Sequence, residues 1–258
     1  MFCFKKWLNT KTIYVIHINE AISENSSSAF KKDNMFNTVM KQLEEVYENN
    51  ADGLLLRINC PGGAAAASEE IAKMVEKIKQ QTYVVTSIGD ICASGAYLIA
   101  AMSDKIFANQ MSLIGNIGVI MQIPNITSLS KKIGITNYTI KSGKMKDIGN
   151  MFREMTTEEE QYLHNLVIMS HNTFVMYVKA HRQIDESLAD GRIFDAHTAL
   201  DNGLIDKYGT KDDALRYLKE HLSNEDNFKI IELKPKRSFL SNLVNVKVSL
   251  TDGLNFLK

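Results

Sequence analysis

The candidate catalytic residues of this sequence lie in two glycine-bearing turns and in one lysine-rich segment. The first turn is NCPGG at positions 59–63, and the second is GDICASGAY at 89–97, with Ser94 near its centre. The lysine-rich segment, IKSGKMKDIG, covers positions 140–149. A serine becomes a nucleophile when a nearby base takes its proton, and a lysine can be that base when it is neutral. These residue types could therefore support hydrolysis through a covalent intermediate.

Ser94 follows a predicted strand and precedes a short helix rich in small residues. At a helix N-terminus its hydroxyl would be exposed at the positive end of the helix dipole, where an oxyanion is stabilised. Its surroundings match the GxSxG pattern only loosely, because Cys92 stands in place of the first glycine. The alternative interpretation is an ordinary N-cap serine that satisfies backbone N–H groups. The residues alone leave both interpretations open.

The turn that contains Gly62 and Gly63 also lies between a predicted strand and a helix. Glycines allow the backbone to approach another group closely, and exposed N–H groups can bind an anion. The turn has neither the GxxxxGK[ST] nor the GxGxxG spacing, so it is not a phosphate-binding loop of those types. A strand-to-helix turn without a ligand is the alternative interpretation.

The base that would activate Ser94 could be a histidine or a lysine. Nothing in the sequence places any of the six histidines near it; they are His17, His164, His171, His181, His197 and His221. Three lysines cluster in the lysine-rich segment: Lys141, Lys144 and Lys146. A lysine base needs burial or nearby positive charge to lower its pKa. The alternative is a solvated basic loop.

The composition excludes several classes of protein. The 258 residues carry 30 basic and 30 acidic side chains, and this balance argues against nucleic acid as a partner. Cys3, Cys60 and Cys92 form no CxxC or zinc-type cluster, so we expect no metal and no other cofactor. The longest apolar run, 96–102, is too short to span a bilayer, and the N-terminus lacks a signal-peptide pattern. We expect a soluble cytoplasmic protein, with peripheral membrane association left open.

The order of predicted elements indicates an α/β fold with a mostly parallel sheet. The predicted strands are Thr12–Ile18, Gly53–Asn59, Tyr83–Ile88, Lys105–Ala108, Ile117–Met121, Thr136–Ile140 and Phe228–Leu233. The predicted helices before position 140 are 26–50, 64–80, 93–101 and 125–133. A capping box at Thr156 and Glu159 starts a long helix in the C-terminal half, and shorter helices follow at 195–201 and 211–222. We expect one domain over residues 1–234 and a tail, 235–258, that docks on it or contacts another subunit.

Several long motifs occur in a recognisable order: NCPGG, GDICASGAYLIAAMSDKIFA, IGNIGVI, IKSGKMKDIGNMFREMT and ADGRIFDAHTALDNGLIDKYG. In order and spacing they resemble the signal peptide peptidase A (SppA) family of serine peptidases. The resemblance implies a Clp-protease-like or crotonase-like superhelix of ββα units. It also implies a Ser/Lys dyad of Ser94 and Lys146, with Lys144 as the rival base. The backbone N–H groups of Gly63 and Gly95 would hold the oxyanion.

The function implied by this resemblance is that of a serine endopeptidase that works through an acyl-enzyme, without a cofactor. Its substrates would be apolar peptides such as signal-peptide remnants, and several copies would close the cleft as a homo-oligomer. Asn116 stands where the family usually has a serine, and we expect its carbonyl oxygen to position the lysine. Three alternatives remain: a crotonase-like protein that binds acyl-CoA, a catalytically weak scaffold, and a Clp-like protease with a histidine base.

Overall fold

The computed structural model describes residues 10–24, 34–223 and 227–233. In these ranges the strands are Lys11–Ile18 (β1), Gly53–Cys60 (β2), Tyr83–Ala93 (β3), Lys105–Ala108 (β4), Leu113–Gly115 (β5), Ile193–Asp195 (β6), Lys207–Tyr208 (β7) and Phe228–Leu233 (β8). The helices there are Met35–Glu48 (α1), Ala65–Lys79 (α2), Gly95–Ala101 (α3), Thr127–Lys132 (α4), Thr157–His181 (α5), Ala196–Asp201 (α6) and Lys211–Leu222 (α7). The tail proposed for 235–258 lies outside the described residues.

The strands form a mixed sheet in the order β6-β5-β3-β2-β1-β8, with β4 beside β3 and β7 beside β4. The β5–β6 pair is antiparallel, and the other recorded strand pairs are parallel. Central strand β2 reads GLLLRINC and is largely buried, as a parallel strand covered on both faces should be. The predicted α/β class with a mostly parallel sheet is confirmed, and so is the long C-terminal helix with its Thr156–Glu159 capping box.

Alternate residues of the central strands pack against different helices, because successive side chains point to opposite faces. One face joins a large core with α1, α2 and α3; its strand residues include Tyr14, Ile16, Leu54, Leu56 and Ile88. The other face packs against α7; its strand residues are Ile13, Val15, Leu55, Val85 and Phe107. The rigid centre of the sheet therefore fixes the strand ends from which the site is built.

Two predicted strands are wrong. Residues 117–121 and 136–140 form no strand, and the short strand of that region is β5 instead. Ile120 is 78% exposed and Ile140 is fully exposed. Neither side chain is therefore buried against a strand or helix. A preference for β structure is realised where a side chain packs on a half-buried pleated surface, and here that surface is missing. Ile117 is buried in the core, whereas most apolar residues from Ile120 to Ile140 are exposed.

Strand β3 runs five residues beyond its predicted end at Ile88 and reaches Ala93. Its first half pairs with β2 and β4, whereas Ile91–Ala93 pair with β5. The β2–β3 register shifts between Ile58 and Cys60, after which Cys60 lies opposite Cys92. This irregularity brings the ends of β2 and β3, and so both glycine turns, side by side.

The start of α1 also differs from the prediction. The helix begins at Met35 rather than at 26, and the Asn34 side chain caps it by accepting a hydrogen bond from the Asn37 N–H at 2.7 Å. Residues 26–33 of the predicted helix lie outside the described residues. Within the described ranges, we find no helix that combines the length and the apolar character needed to cross a bilayer.

Candidate active site

Ser94 joins β3 directly to α3 in a strained turn. Its φ of 54° and ψ of −129° lie in a region that residues other than glycine rarely occupy. The turn is held because the Ser94 N–H donates to the Gly115 carbonyl at 2.8 Å, and the Ser94 carbonyl accepts from Tyr97 and Leu98. Ser94 occupies the N-cap position of α3, but its side chain makes no capping hydrogen bond there, unlike that of an ordinary N-cap serine. Strain of this kind is often concentrated at functional sites.

The Gly62–Gly63 turn lies directly against Ser94. A methyl group added to Gly62 would come within 2.7 Å of the Ser94 Cβ, and one added to Gly63 would meet the Ile22 carbonyl oxygen at 2.0 Å. On Gly95 it would lie 2.1 Å from the Ser68 hydroxyl and 3.8 Å from the Gly63 nitrogen. The two predicted oxyanion donors, Gly63 and Gly95, are therefore neighbours beside the serine, and only glycine fits at these positions.

A cavity of about 540 Å³ opens at Ser94. Its described lining residues are mainly small or apolar: Gly63, Ala64, Ala65, Ala66, Gly95, Leu98, Gly118, Val119, Ile120 and Phe174. The polar ones are Ser68, Glu69, Ser94, Ser170, Thr173 and Tyr177. The Tyr177 hydroxyl donates to Glu69 at 3.0 Å, and Lys73 pairs with the same carboxylate at 2.6 Å. An apolar wall with a few placed polar groups is typical of a ligand site.

The fold brings Ser94, Gly63 and Gly95 together but places Lys146 elsewhere. Lys146 is exposed in a turn at 142–149 and is not among the described residues that line the Ser94 cavity. The other two lysines of the segment are paired with carboxylates: Lys141 with Asp147 at 2.5 Å and Lys144 with Glu158 at 2.6 Å. Among the described residues, no carboxylate pairs with Lys146.

Asn116 lies next to the carbonyl that fixes Ser94, since Gly115 precedes it. Its backbone has a φ of 52°, which asparagine tolerates better than most residues. Its N–H donates to the Arg192 carbonyl at 2.9 Å, and its Nδ2 donates to the Gly191 carbonyl at 2.5 Å. The side-chain oxygen is therefore the atom that remains to accept a hydrogen bond from a lysine.

The histidines lie away from Ser94. None lines its cavity in the described part of the chain. His17 contacts Glu232, His181 contacts Glu76, His197 contacts Asp201, and His221 stacks on Tyr83; His164 lines a separate cavity. A histidine base for Ser94 therefore has no support in the geometry. Nor do the described ranges contain a group of three or more His, Cys, Asp or Glu side chains able to hold a metal ion.

Sequence reasoning missed the contact that fixes the glycine turn. The Ile22 N–H donates to the Gly62 carbonyl at 2.8 Å, and its carbonyl accepts from Ala64 at 2.8 Å. No local pattern marks a contact between residues so far apart in the chain. It also missed that Phe174 and Tyr177 of α5 line the Ser94 cavity; being three residues apart, they lie on one face of the helix.

Two family models match this chain. The model of peptidase family S49 matches residues 76–225, more than half of the chain, and that of Clp protease matches residues 19–116. The S49 match contains Ser94 and Lys146, and the Clp match contains both glycine turns.

Curated relatives agree with the family match. A protein of Methanocaldococcus jannaschii named as protease MJ0651 is 41% identical over 72% of this chain and 60% of its own length. One of Enterococcus faecium named as signal peptide peptidase SppA is 34% identical over 95% of this chain and 74% of its own length. A third, named as protease slr0021 of Synechocystis, is 39% identical over 69% of this chain and 66% of its own. The chain thus spans between 60% and 74% of the length of these relatives.

Solved structures share the fold. Two structures of the 1510-N membrane-bound stomatin-specific protease match with a TM-score of 0.55, at 15% and 17% identity. They cover 89% and 94% of this chain and all of the matched chains; the second is a variant in complex with a substrate peptide. With the S49 model matched over most of the site and a relative 34% identical over nearly the whole chain, this chain belongs to the serine peptidases of family S49.

Proposed function

We propose that this chain is a serine endopeptidase that cleaves peptide bonds through an acyl-enzyme on Ser94. The observation that carries the proposal is the strained Ser94 turn, which lies against the Gly62–Gly63 turn at an apolar cavity that Gly63 and Gly95 also line. Donors fixed where negative charge develops lower the barrier to acyl transfer, each by about 3 kcal/mol. Membership of a peptidase family supports the same reaction.

In the proposed mechanism, neutral Lys146 takes the proton of the Ser94 hydroxyl while the Ser94 oxygen attacks the scissile carbonyl. The Gly63 and Gly95 N–H groups stabilise the oxyanion of the tetrahedral intermediate. Protonated Lys146 gives its proton to the leaving amine, and the peptide C–N bond breaks. Water, activated by the same lysine, then hydrolyses the ester on Ser94 and releases the second product.

Lys146 is a better candidate base than the two lysines beside it. Lys141 and Lys144 are each held by a carboxylate, that of Asp147 and that of Glu158, so their amines are less free to approach Ser94. The substrate-complex structure among the fold neighbours is named as a lysine-to-alanine variant, and the other neighbour is named as a serine-to-alanine variant. Those titles support a role for both residue types, and we propose that Asn116 holds the lysine through its side-chain oxygen.

We propose further that copies of the chain associate and that Lys146 of one copy enters the Ser94 cavity of the next. Lys146 is exposed and stands apart from the cavity of its own chain. The region around it carries exposed apolar side chains, which are Ile120, Met121, Leu129, Ile133, Ile135, Tyr138 and Ile140, and α5 adds Tyr162, Ile168 and Met169. Large exposed apolar patches mark interaction sites, and we propose that these side chains form one.

The cavity favours small or apolar substrate side chains, because its walls near Ser94 are alanine, leucine, valine, isoleucine and phenylalanine. We therefore propose that substrates are apolar peptides, such as the remnants of signal peptides; the name of the Enterococcus faecium relative points the same way. A cytoplasmic location stays a prediction from the sequence, tested by fractionating cells that express the protein.

Labelling with a fluorophosphonate probe at about pH 8–9, where a lysine base is deprotonated more often, tests the proposed nucleophile. We expect label on Ser94 in the wild type, and none in Ser94→Ala. In Lys146→Ala we expect at least a 10²-fold slower reaction, because the base is lost. Ser187→Ala and Lys144→Ala are matched controls and should label normally. A correctly folded wild type that takes no label would contradict the proposal and favour a scaffold.

Mixing the Ser94→Ala and Lys146→Ala proteins tests the contribution of a second copy. Each variant alone should be inactive on an apolar peptide, whereas the mixture should regain activity after subunit exchange. Where the Ser94 cavity of a Lys146→Ala copy meets Lys146 of a Ser94→Ala copy, both groups of the dyad are intact. Light scattering should show more than one copy per particle. A mixture that stays inactive while the subunits exchange would place the dyad within one chain.

A further inference from the structure

The turn that carries Lys146 is tied down by one arginine. Arg153 donates through Nε and Nη2 to the two carboxylate oxygens of Asp147, both at 2.9 Å. It also donates through Nη1 and Nη2 to the two oxygens of Glu159, at 2.8 and 2.5 Å, and through Nη1 to the Glu154 carbonyl at 3.0 Å. All five N–H donors of the guanidinium are thus engaged, and two carboxylates are bridged in fork-like geometry.

One carboxylate of this bridge belongs to the residue that follows Lys146. The Asp147 side chain is 10% exposed and also accepts from Lys141 at 2.5 Å. The hydrogen bonds from Arg153, and then that from Lys141, hold the pKa of Asp147 well below its usual range. Backbone bonds across the turn, from Lys146 to Gly143 at 3.1 Å and from Ile148 to Met145 at 3.2 Å, add to its rigidity. The Lys146 side chain is therefore exposed on a turn that is held in place.

The other carboxylate belongs to the first turn of α5. Glu159 is buried and closes the capping box with Thr156, whose N–H donates to it at 2.9 Å. Hydrogen bonds from Arg153, and secondly from the Thr156 backbone, lower the pKa of Glu159 to about 2. Further along the same helix, Phe174 and Tyr177 line the Ser94 cavity. Helix α5 thus joins the anchor of the lysine turn to the wall of the nucleophile cavity.

We propose that Arg153 is a positioning residue for Lys146: by bridging Asp147 to Glu159, it fixes the lysine turn on the N-terminus of α5. This inference rests on the proposed function, in which Lys146 is the base. The proposal accounts for a cluster of buried and half-buried charges that the catalytic steps do not use. An exposed base on a rigid turn can enter a cavity with little loss of conformational freedom, and misplacing it by about 1 Å can slow a reaction by about 10²-fold.

A double-mutant cycle tests the inference. We expect Arg153→Gln to lower kcat for an apolar peptide by about 10²-fold while KM stays within about twofold, because the substrate cavity is intact. In a Lys146→Ala background, Arg153→Gln should have no further effect, since the residue that it positions is already gone. Arg216→Gln, which removes a paired arginine on the distant helix α7, is the matched control and should leave kcat unchanged.

Three outcomes are decisive. An Arg153→Gln variant that keeps wild-type kcat overturns the inference, and so does one that lowers activity by the same factor in the Lys146→Ala background. If Lys146→Ala alone keeps full activity, the proposed dyad fails, whatever Arg153 does. Circular dichroism and thermal unfolding monitor the fold. Should Arg153→Gln not fold, Asp147→Asn replaces it in the same cycle: it keeps the side-chain shape but loses the charge that the guanidinium holds.

Discussion

The two halves of the proposed dyad are held in different ways. Ser94 is half-buried at the end of β3, where close contacts leave no room for a methyl group on Gly62, Gly63 or Gly95. Lys146 stands on an exposed turn that ion pairs and hydrogen bonds anchor to α5. Packing fixes the nucleophile and its oxyanion donors within one chain, whereas polar contacts present the base at the surface.

The two halves should therefore tolerate different kinds of change. Close-packed interiors respond to a single added or removed methyl group, while exposed turns absorb it. Charged anchors respond to pH and to the loss of a partner instead. The same kind of substitution, made once near Ser94 and once near Lys146, should therefore have different effects.

The largest contrast is expected between two glycine-to-alanine substitutions. In Gly63→Ala the new methyl group meets the Ile22 carbonyl at 2.0 Å, so the turn must move and its oxyanion donor with it. We expect kcat/KM to fall by about 10²–10³-fold. Gly143→Ala, in the lysine turn, meets nothing within 4 Å and should stay within about threefold of wild type. Steady-state kinetics of the two proteins checks this; equal losses would mean that the two turns are equally constrained.

The next contrast is in stability. Leu56 is fully buried in the central strand, and Leu56→Ala should lower the free energy of unfolding by about 2–5 kcal/mol. Ile140 is fully exposed in the segment before Lys146, and Ile140→Ala should change it by less than about 0.5 kcal/mol. The second variant should instead weaken association of copies, seen as a smaller mass by light scattering at low concentration. Urea unfolding measures the free energy of unfolding. A large loss of that free energy in Ile140→Ala would mean that Ile140 is buried in a core.

The stabilisation supplied by the Arg153 bridge, in which Arg153 pairs with Asp147 and Glu159, should depend on pH. Because the folded pKa values of Asp147 and Glu159 are lowered, the bridge stabilises the fold above their unfolded values near pH 4. That stabilisation is lost as the pH falls toward about 2, where Glu159 takes up its proton. The difference in unfolding free energy between wild type and Arg153→Gln should therefore shrink from about pH 5 to about pH 2. Denaturant titrations across that range test it; a constant difference would show that charge is not what the bridge contributes.

The smallest effect is expected at Cys60, in the glycine turn. Its buried thiol donates to the Glu20 carbonyl at 3.0 Å and accepts from the Gly62 N–H at 3.3 Å. Burial raises the pKa of this thiol, so it is neutral at ordinary pH. A serine hydroxyl can make the same two hydrogen bonds, and Cys60→Ser should keep kcat/KM within about threefold. A loss of kcat/KM beyond about tenfold would show that the Cys60 sulfur itself contributes to activity.

The sequence predicted the region around Ser94 better than the region around Lys146. Strands such as Gly53–Cys60 are buried on both faces, so their apolar runs report the fold directly, and the glycine turns follow them at once. From Ile120 to Ile140 most apolar residues of the same kind lie on the surface, and the two strands predicted for 117–121 and 136–140 are absent. Composition cannot distinguish an apolar residue that packs inside its own chain from one that is left exposed. The Arg153 bridge was not predicted either, because charged residues close in sequence are usually solvated.

The pH dependence of fluorophosphonate acylation at Ser94 is the sharpest check of a lysine base, since it reports the base before any product is released. We predict that the wild-type rate rises between about pH 6 and about pH 10, as expected for a base that acts only when neutral, and that Lys146→Ala loses this rise together with most of the rate. The Lys144→Ala control should keep the wild-type profile. A wild-type rate that is flat across this range, or a Lys146→Ala profile that matches the wild type, would contradict a lysine base.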